Sequence, residues 1–228
     1  MITEDCPAPG LRVTQPARGF RYGSEAFWVA GCALELGPAR DALDLGTGSG
    51  IVALLLGQAG LDVRGVDIRP EWGPLWARTQ ARSVCAGRVV LERVDVREVR
   101  GSVDLVVSNP PFFPRGSGPV ATDPWRAAAR TEDTATLADF VAAAVRCLRP
   151  GGRAVFVVPR GREHEVRAHG AAAGVGCVRC VRVGRRRTVL ALGPGSDAVA
   201  EQVPENGALA QAWRARVARA VAAPYRGA

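Results

Sequence analysis

The sequence of 228 residues contains no lysine: all 30 of its long-chain cations are arginine, and they outnumber the acids to give a net charge of +8. A GC-rich genome exchanges lysine for arginine, but that exchange leaves the net charge unchanged. The excess of base over acid points instead to an anionic partner, for which RNA is the commonest choice in a cytosolic protein. Long apolar runs are also missing. None approaches the ~20 residues of a membrane span, so no membrane partner is expected. Met1 to Gly10 carries Glu4 and Asp5 and has no apolar core, unlike a secretory signal. Both absences favour the cytoplasm. Histidine is scarce, with two residues, and no second CxxC accompanies Cys177-Val-Arg-Cys180. Four metal ligands cannot be assembled from that, so no metal is expected. In a regular strand Cys177 and Cys180 would point to opposite faces. The irregular spacing of Cys6, Cys32, Cys85, Cys147, Cys177 and Cys180 argues against a disulfide framework, and they read as unliganded thiols.

What is present is ordinary for a globular chain: 47% hydrophobic and 23% charged residues, enough for one sizeable α/β core. The segment to about Tyr22 is rich in Pro, Gly and Arg and reads as irregular. Ser24 is a good N-cap for a helix from Glu25 to Leu36. Strands and helices then alternate. Strands are expected at Ala42–Leu45, Leu61–Asp67, Val89–Val94, Val103–Ser108 and Arg153–Val158, with helices at Gly50–Ala59, Glu71–Ala86, Thr136–Leu148 and Glu163–Ala173 between or after them. The Pro/Gly-rich stretch from Phe112 to Glu132 is unusually long for a loop in a compact domain, a length often reserved for functional lids. Gly176–Val183 and Thr188–Leu192 are too close for a helical crossover and must form an antiparallel hairpin. A polar linker, Ser196 to Gly207, leads to an amphipathic helix with Leu209, Trp213, Val217 and Val221 on one face. The expected fold is α/β and Rossmann-like. Its sheet is mostly parallel and seven-stranded, with the antiparallel hairpin at one edge and helices on both faces. Residues 1–195 form one domain, of which 1–23 are a leader over the first ligand site, and residues 196–228 pack on the same domain.

Two motifs carry chemistry. The first is Asp44-Leu45-Gly46-Thr47-Gly48-Ser49-Gly50, a glycine-rich turn after the first strand of the alternating pattern. Gly46, Gly48 and Gly50 let the backbone approach a ligand at the carboxyl ends of the strands. Asp67 ends the next strand, where a carboxylate can take both ribose hydroxyls, and Ile68 can lie flat on a base. Asp95, with Val96 beside it, can accept from an adenine amino group. Asp44 can orient the glycine turn or face an ammonium group. An NAD or FAD fold uses an acid in the same way, but its turn has the form GxGxxG, whereas this one is GxGxG.

The second motif, Asn109-Pro110-Pro111-Phe112, closes the apolar strand Val103–Ser108. An exocyclic amine on a base is a poor nucleophile, because its lone pair is delocalised. The Asn109 oxygen and the Pro110 carbonyl can each accept one of its N–H groups, the prolines stiffen the turn, and Phe112 offers a stacking face. A dehydrogenase has no use for this motif. The pair, in this order, suggests a site that presents a planar amine to a nucleotide-like methyl donor. The target base must leave its stack to enter.

Residues 11 to 192 resemble the class I S-adenosylmethionine-dependent methyltransferases with an NPPF or NPPY motif. One branch is most similar, the bacterial enzymes that form N6-methyladenosine at position 37 of valine tRNA. Its leader is matched by Gln15 to Ala26, containing Gly19-Phe20-Arg21-Tyr22-Gly23-Ser24-Glu25. Its turn after the motif loop is matched by Ala129-Arg130-Thr131-Glu132. The Leu148-Arg149-Pro150-Gly151-Gly152 turn is shared across class I and discriminates little. Glu25 stands where the branch has aspartate, Gly23 is inserted before the serine, and Phe113 and a long lid follow the motif. The resemblance implies S-adenosylmethionine as cofactor and tRNA as partner. It implies cofactor contacts at Asp44, Gly46, Thr47, Gly48, Gly50, Asp67, Ile68, Asp95 and Val96, with Arg21, Tyr22 and Ser24 from the leader. Acceptor contacts are expected from Phe113, Arg115, Trp125 and Arg130 in the lid and from Arg185, Arg186 and Arg187 in the hairpin. The rival readings are a release-factor glutamine methyltransferase, an rRNA guanine N2- or adenine N6-methyltransferase, a small-molecule amine methyltransferase and a non-catalytic RNA-binding domain. Only one helix fits before Ala42, which disfavours the first; no duplicated half or large recognition region fits for the ribosomal or DNA enzymes; and an intact Asn109-Pro110-Pro111-Phe112 disfavours the last.

Overall fold

The computed structural model describes residues 2–18, 21–111, 135–195 and 198–222. A hairpin of β1 (Ile2–Asp5) and β2 (Val13–Pro16) is followed by α1 (Ser24–Glu35). Then come β3 (Asp41–Leu45), α2 (Ile51–Gln58), β4 (Asp62–Asp67), α3 (Gly73–Arg82), β5 (Val89–Arg93) and β6 (Val103–Ser108). The chain continues through α4 (Leu137–Cys147), β7 (Leu148–Pro159), α5 (Glu163–Ala172), β8 (Gly176–Val183), β9 (Arg187–Gly193), β10 (Glu201–Val203) and α6 (Ala208–Ala222).

The main sheet has eight strands in the order β10-β8-β9-β7-β6-β3-β4-β5. Order reverses between β3 and β6, so the carboxyl ends of β6, β3, β4 and β5 open a crevice at the switch point. At the switch point β3 and β6 are buried on both faces. Leu105 and Val107 of β6 enter one core with α1, α2 and α6, and Val106 enters the other with α4 and α5. This two-sided burial is why Leu105–Val107 of β6 and Ala154–Val158 of β7 read as unbroken apolar runs rather than alternating ones.

Three expectations needed correction. β8 and β9 pair as the expected antiparallel hairpin, but it is not the edge of the sheet. β9 alone runs antiparallel, lodged between β7 and β8, and the linker adds Glu201–Val203 outside β8 as a parallel eighth strand. The leader is not irregular. Its hairpin is fastened to α3 and the turn after it, where the Thr14 N–H donates to Thr79 Oγ1 at 2.9 Å and the Arg12 N–H to Ser83 Oγ at 3.1 Å. Ser24 does not cap α1. The N-cap is Gly23, and the Ser24 hydroxyl instead accepts from Arg214 of α6 at 2.6 Å.

Cys177 and Cys180 also differ from the regular-strand expectation. The register between β8 and β9 slips at Val178, one extra residue on β8. That bulge restores parity, and both thiols enter the same core cluster. None of the six cysteines is in a disulfide; Cys6 is exposed and the other five are buried. Among the described residues no group of three His, Cys, Asp or Glu side chains could hold a metal ion, and no helix is long and apolar enough to cross a membrane.

α6 lies on α1 through Trp213, which is fully buried. Its indole N–H donates to Glu35 Oε2 at 2.6 Å. Gly31 of α1 makes room: a Cβ there would stand 2.4 Å from Trp213 Cβ.

Candidate active site at the carboxyl edge of the sheet

Leu45 ends β3 and the chain turns through residues 46–50 into α2. The turn doubles back with positive φ at Gly46, Gly48 and Gly50 (+70°, +54° and +83°), a region L side chains rarely adopt. At Gly50 there is no space either, because a Cβ would meet Leu91 Cδ1 at 2.8 Å. Hydrogen bonds tie the turn to the neighbouring strands. The Thr47 N–H donates to the Val66 carbonyl at 2.9 Å, and Ser108 Oγ donates to the Leu45 carbonyl at 2.8 Å.

The cleft above this turn has a volume of about 850 Å³, counted out to its open mouth. Asp44, Gly46, Thr47, Gly48 and Ser49 form its floor, and Ile51 and Val52 of α2 form one wall. Asp67, Ile68 and Arg69 come from the end of β4, Asp95 and Val96 from beyond β5, and Asn109 and Pro111 from beyond β6. Tyr22, Ala26, Ala135 and Phe140 complete the lining. Residues far apart in the chain thus meet because four adjacent strands end at one level.

The carboxylates differ in environment. Asp44 is buried, and its Oδ2 accepts from Thr47 Oγ1 at 2.6 Å and from the Ala53 N–H of α2 at 3.2 Å. Burial pushes its carboxyl up to about 7, against the opposing pull of those two bonds. Asp67 Oδ2 accepts from the Gly48 N–H at 3.1 Å. Asp95 is engaged by the Arg97 guanidinium, which holds its carboxyl below the usual range. The Tyr22 phenol is pushed up to about 12, first by burial and then by the Asp5 carboxylate.

Asn109 Oδ1 is buried and, among the described residues, meets no hydrogen-bond donor. Such an acceptor is costly to leave unpaired, and it lines the cleft at the level where β6 ends.

The structure brings Asp44, Gly46, Thr47, Gly48, Asp67, Ile68, Asp95, Val96, Asn109, Pro111 and Tyr22 around one space. Gly50 stands behind the floor as the N-cap of α2, and Pro110 is buried. Arg21 and Ser24 are not brought there: Arg21 pairs with Asp5 at 2.7 Å and Ser24 faces Arg214. Phe112, Phe113, Arg115, Trp125 and Arg130 lie outside the described residues. Arg69 was not anticipated. The only signal was an arginine two places after the strand-ending Asp67, a spacing that lets it fold back on that carboxylate.

The hairpin arginines divide. Arg187 is paired with Glu25 at 3.1 Å, Arg179 with Glu35 at 2.8 Å, and Arg182 with Glu163. Arg185 and Arg186 sit exposed in the turn and form no ion pair among the described residues, and neither does exposed Arg160 at the end of β7. The Arg160 N–H donates to the Arg186 carbonyl at 3.0 Å, so the three are neighbours. Phe156 of β7 pairs with Ser108 of β6. Pro159 therefore stands three residues, about 10 Å, beyond that level on the side of the cleft.

The model of the methyltransferase small domain family matches residues 32–169, more than half of the chain. A tRNA1(Val) (adenine(37)-N6)-methyltransferase of Aeromonas salmonicida is 36% identical over 138 residues, 56% of this chain and 55% of that protein. The protein of the same name from Trichodesmium erythraeum is 31% identical over 159 residues, covering 66% of each. The chain thus spans between about half and two thirds of these curated relatives' length. Among solved structures, the tRNA m1G37 methyltransferase of M. jannaschii superimposes with a TM-score of 0.63 at 13% identity, covering 86% of this chain and 57% of that one. A predicted O-methyltransferase of Agrobacterium tumefaciens gives 0.59 at 14% identity, covering 78% and 85%. At such identities these two speak for the fold alone.

Proposed function

This chain belongs to the methyltransferase small domain family, and we propose that it transfers a methyl group from S-adenosylmethionine to the exocyclic N6 of an adenine in tRNA. The observation that carries the reading is the buried Asn109 Oδ1, which meets no donor among the described residues, in a cleft also lined by Asp67 and Asp44. The chemistry of this set fits the cofactor. Asp67 would accept from the ribose hydroxyls, Ile68 and Val96 would flank the adenine, and Asp44, under the glycine turn, would face the ammonium group. Bound there, S-adenosylmethionine would supply a methyl group activated by the sulfonium next to it: as the N6–carbon bond forms the sulfur–methyl bond breaks, S-adenosylhomocysteine leaves as the neutral thioether, and the methylated amine gives one proton to water.

The chain's own residues make the amine reactive. Asn109 Oδ1 accepts one N–H of the adenine amino group, and the Pro110 carbonyl accepts the other. Both bonds favour a tetrahedral nitrogen, whose lone pair then points into the cleft. Pro110 and Pro111 have fixed φ and no N–H, so the turn keeps its two acceptors converged. Holding two reactants in line can lower a barrier by roughly 7–11 kcal/mol, and no covalent nucleophile is required. The sequence supplies Phe112 next, an aromatic face on which the base would stack. Arg160, Arg185 and Arg186 meet phosphates near the target, at the distance the register of β6 and β7 sets.

The test is a transfer assay with methyl-labelled S-adenosylmethionine and unmodified tRNA, rRNA or a release factor, followed by digestion and mass spectrometry. N6-methyladenosine in tRNA supports the proposal. Label in methylglutamine or in guanine, or no label, overturns the acceptor assignment.

A further inference from the structure

Asp67 has no acceptor capacity left. Its Oδ1 takes the Arg69 N–H at 3.0 Å and Arg69 Nε at 3.1 Å, and its Oδ2 takes the Gly48 N–H and Arg69 Nη2, each at 3.1 Å. An ionised carboxylate offers about four lone-pair sites, and all of them are in use. Two of the four donors are backbone groups that hold the carboxylate in orientation. The other two belong to one guanidinium, one on each oxygen. A ribose diol needs two acceptors, one for each hydroxyl.

We infer that the Arg69 side chain occupies the diol's place on Asp67 and that it sets the affinity of the cofactor site by competing for it. The inference rests on the proposed reading that Asp67 holds the ribose. When the guanidinium leaves, each Asp67 oxygen regains one lone pair, matching the two hydroxyls, while the bonds from Gly48 and from the Arg69 backbone stay. The closed arrangement leaves one donor over. Arg69 Nη1 is buried with no hydrogen-bond partner among the described residues, a cost that opening to water relieves. The guanidinium also rests 5.1 Å over the ring of Trp72, itself fully buried. Departure of a cation from that ring face is visible in the indole's emission. The glycine turn does not need Arg69 for support, because Trp76 Nε1 holds the Gly48 carbonyl at 2.8 Å from the other side.

The experiment measures binding of S-adenosylhomocysteine by calorimetry, with no turnover involved. Arg69→Met keeps the stem over Trp72 and removes both competing donors. The expected result is about tenfold tighter binding, the gain from removing a closed state that must be opened first. In Asp67→Asn the affinity falls, and adding Arg69→Met to it restores nothing. Binding by Arg69→Met that equals or is weaker than wild type would show that Arg69 supports the carboxylate and would overturn the inference. An Asp67→Asn variant that binds like wild type would remove the underlying reading of the cleft instead. Should Arg69→Met fail to fold, wild type decides the matter. Adenosine should change the emission that Trp72→Phe abolishes, and 2′,3′-dideoxyadenosine should not. Equal changes with both ligands would overturn the competition.

Discussion

Thr47 Oγ1 donates to Asp44 Oδ2 at 2.6 Å beneath the glycine turn. The bond links the last acidic residue of β3 to the loop that floors the cleft, and it opposes the burial that pushes Asp44 up to about 7. Because the folded pKa lies above the unfolded one, the folded state keeps a proton that the unfolded state has lost. Asp44 therefore lowers stability progressively as pH rises from its unfolded pKa towards about 7, and no further above that. The depressed carboxyls of Asp41, Asp95 and Asp104 are ionised in both states by then and add no slope. Urea unfolding between about pH 5.5 and 7.5 should show wild type losing stability relative to Asp44→Asn. Parallel profiles for the two proteins would contradict the raised pKa.

Asn109→Ala removes the unpartnered acceptor without touching the far side of the cleft. Turnover should fall by roughly 30- to 10³-fold, a barrier raised by about 2–4 kcal/mol, on the scale of deleting one hydrogen bond made in a transition state. Affinity for S-adenosylhomocysteine should stay within about twofold, because the side chain meets the amine and not the cofactor. Single-turnover kinetics beside calorimetry separates the two. Near-normal turnover would remove Asn109 from the chemistry.

The unpaired arginines and the paired ones should behave differently. Arg160→Ser, Arg185→Ser and Arg186→Ser together should flatten the salt dependence of tRNA binding by about 0.7–0.9 in slope for each phosphate that is no longer neutralised, with little change in melting temperature. Arg187→Ser should instead lower the melting temperature and leave the slope alone, because its guanidinium is spent on Glu25. An unchanged slope in the triple variant would take the hairpin turn out of the RNA interface.

Gly31→Ala tests the docking of the last helix. The added methyl would stand 2.4 Å from Trp213 Cβ and 2.8 Å from its Cα, and a helix backbone cannot give way as a flexible side chain does. The expected loss is about 1–3 kcal/mol, the usual cost of overpacking, read from denaturant midpoints. Trp213→Ala in the same assay should cost about 3–5 kcal/mol. If Gly31→Ala were neutral, α6 would not lie on α1 as the structure has it.

Much of this could be read along the chain because the signals are local. The apolar run Val103–Ser108 is a strand buried on both faces, and the glycines at 46, 48 and 50 announce backbone that no side chain tolerates. Asp67 closes its strand where a parallel sheet places ligand contacts, and Thr136 with Asp139 forms the capping box that starts α4. Each of these depends on residues within one turn or one strand of each other, so residue type and spacing suffice.

Tertiary structure alone decided the rest. Which strands are neighbours depends on packing across long separations in sequence, so nothing local said that β9 would insert between β7 and β8, or that β10 would add an eighth strand. Charge pairing has the same character. Five arginines between residues 179 and 187 look alike in sequence, yet Glu35, Glu163 and Glu25 claim three of them, while Arg185 and Arg186 form no ion pair among the described residues. The bulge at Val178 reverses the facing that period-two alternation assigns to Cys180. Arg69 illustrates the limit most closely. The sequence places an arginine two residues after Asp67, but only the folded turn, with Trp72 beneath it, lays the guanidinium on both carboxylate oxygens at the site proposed for the ribose.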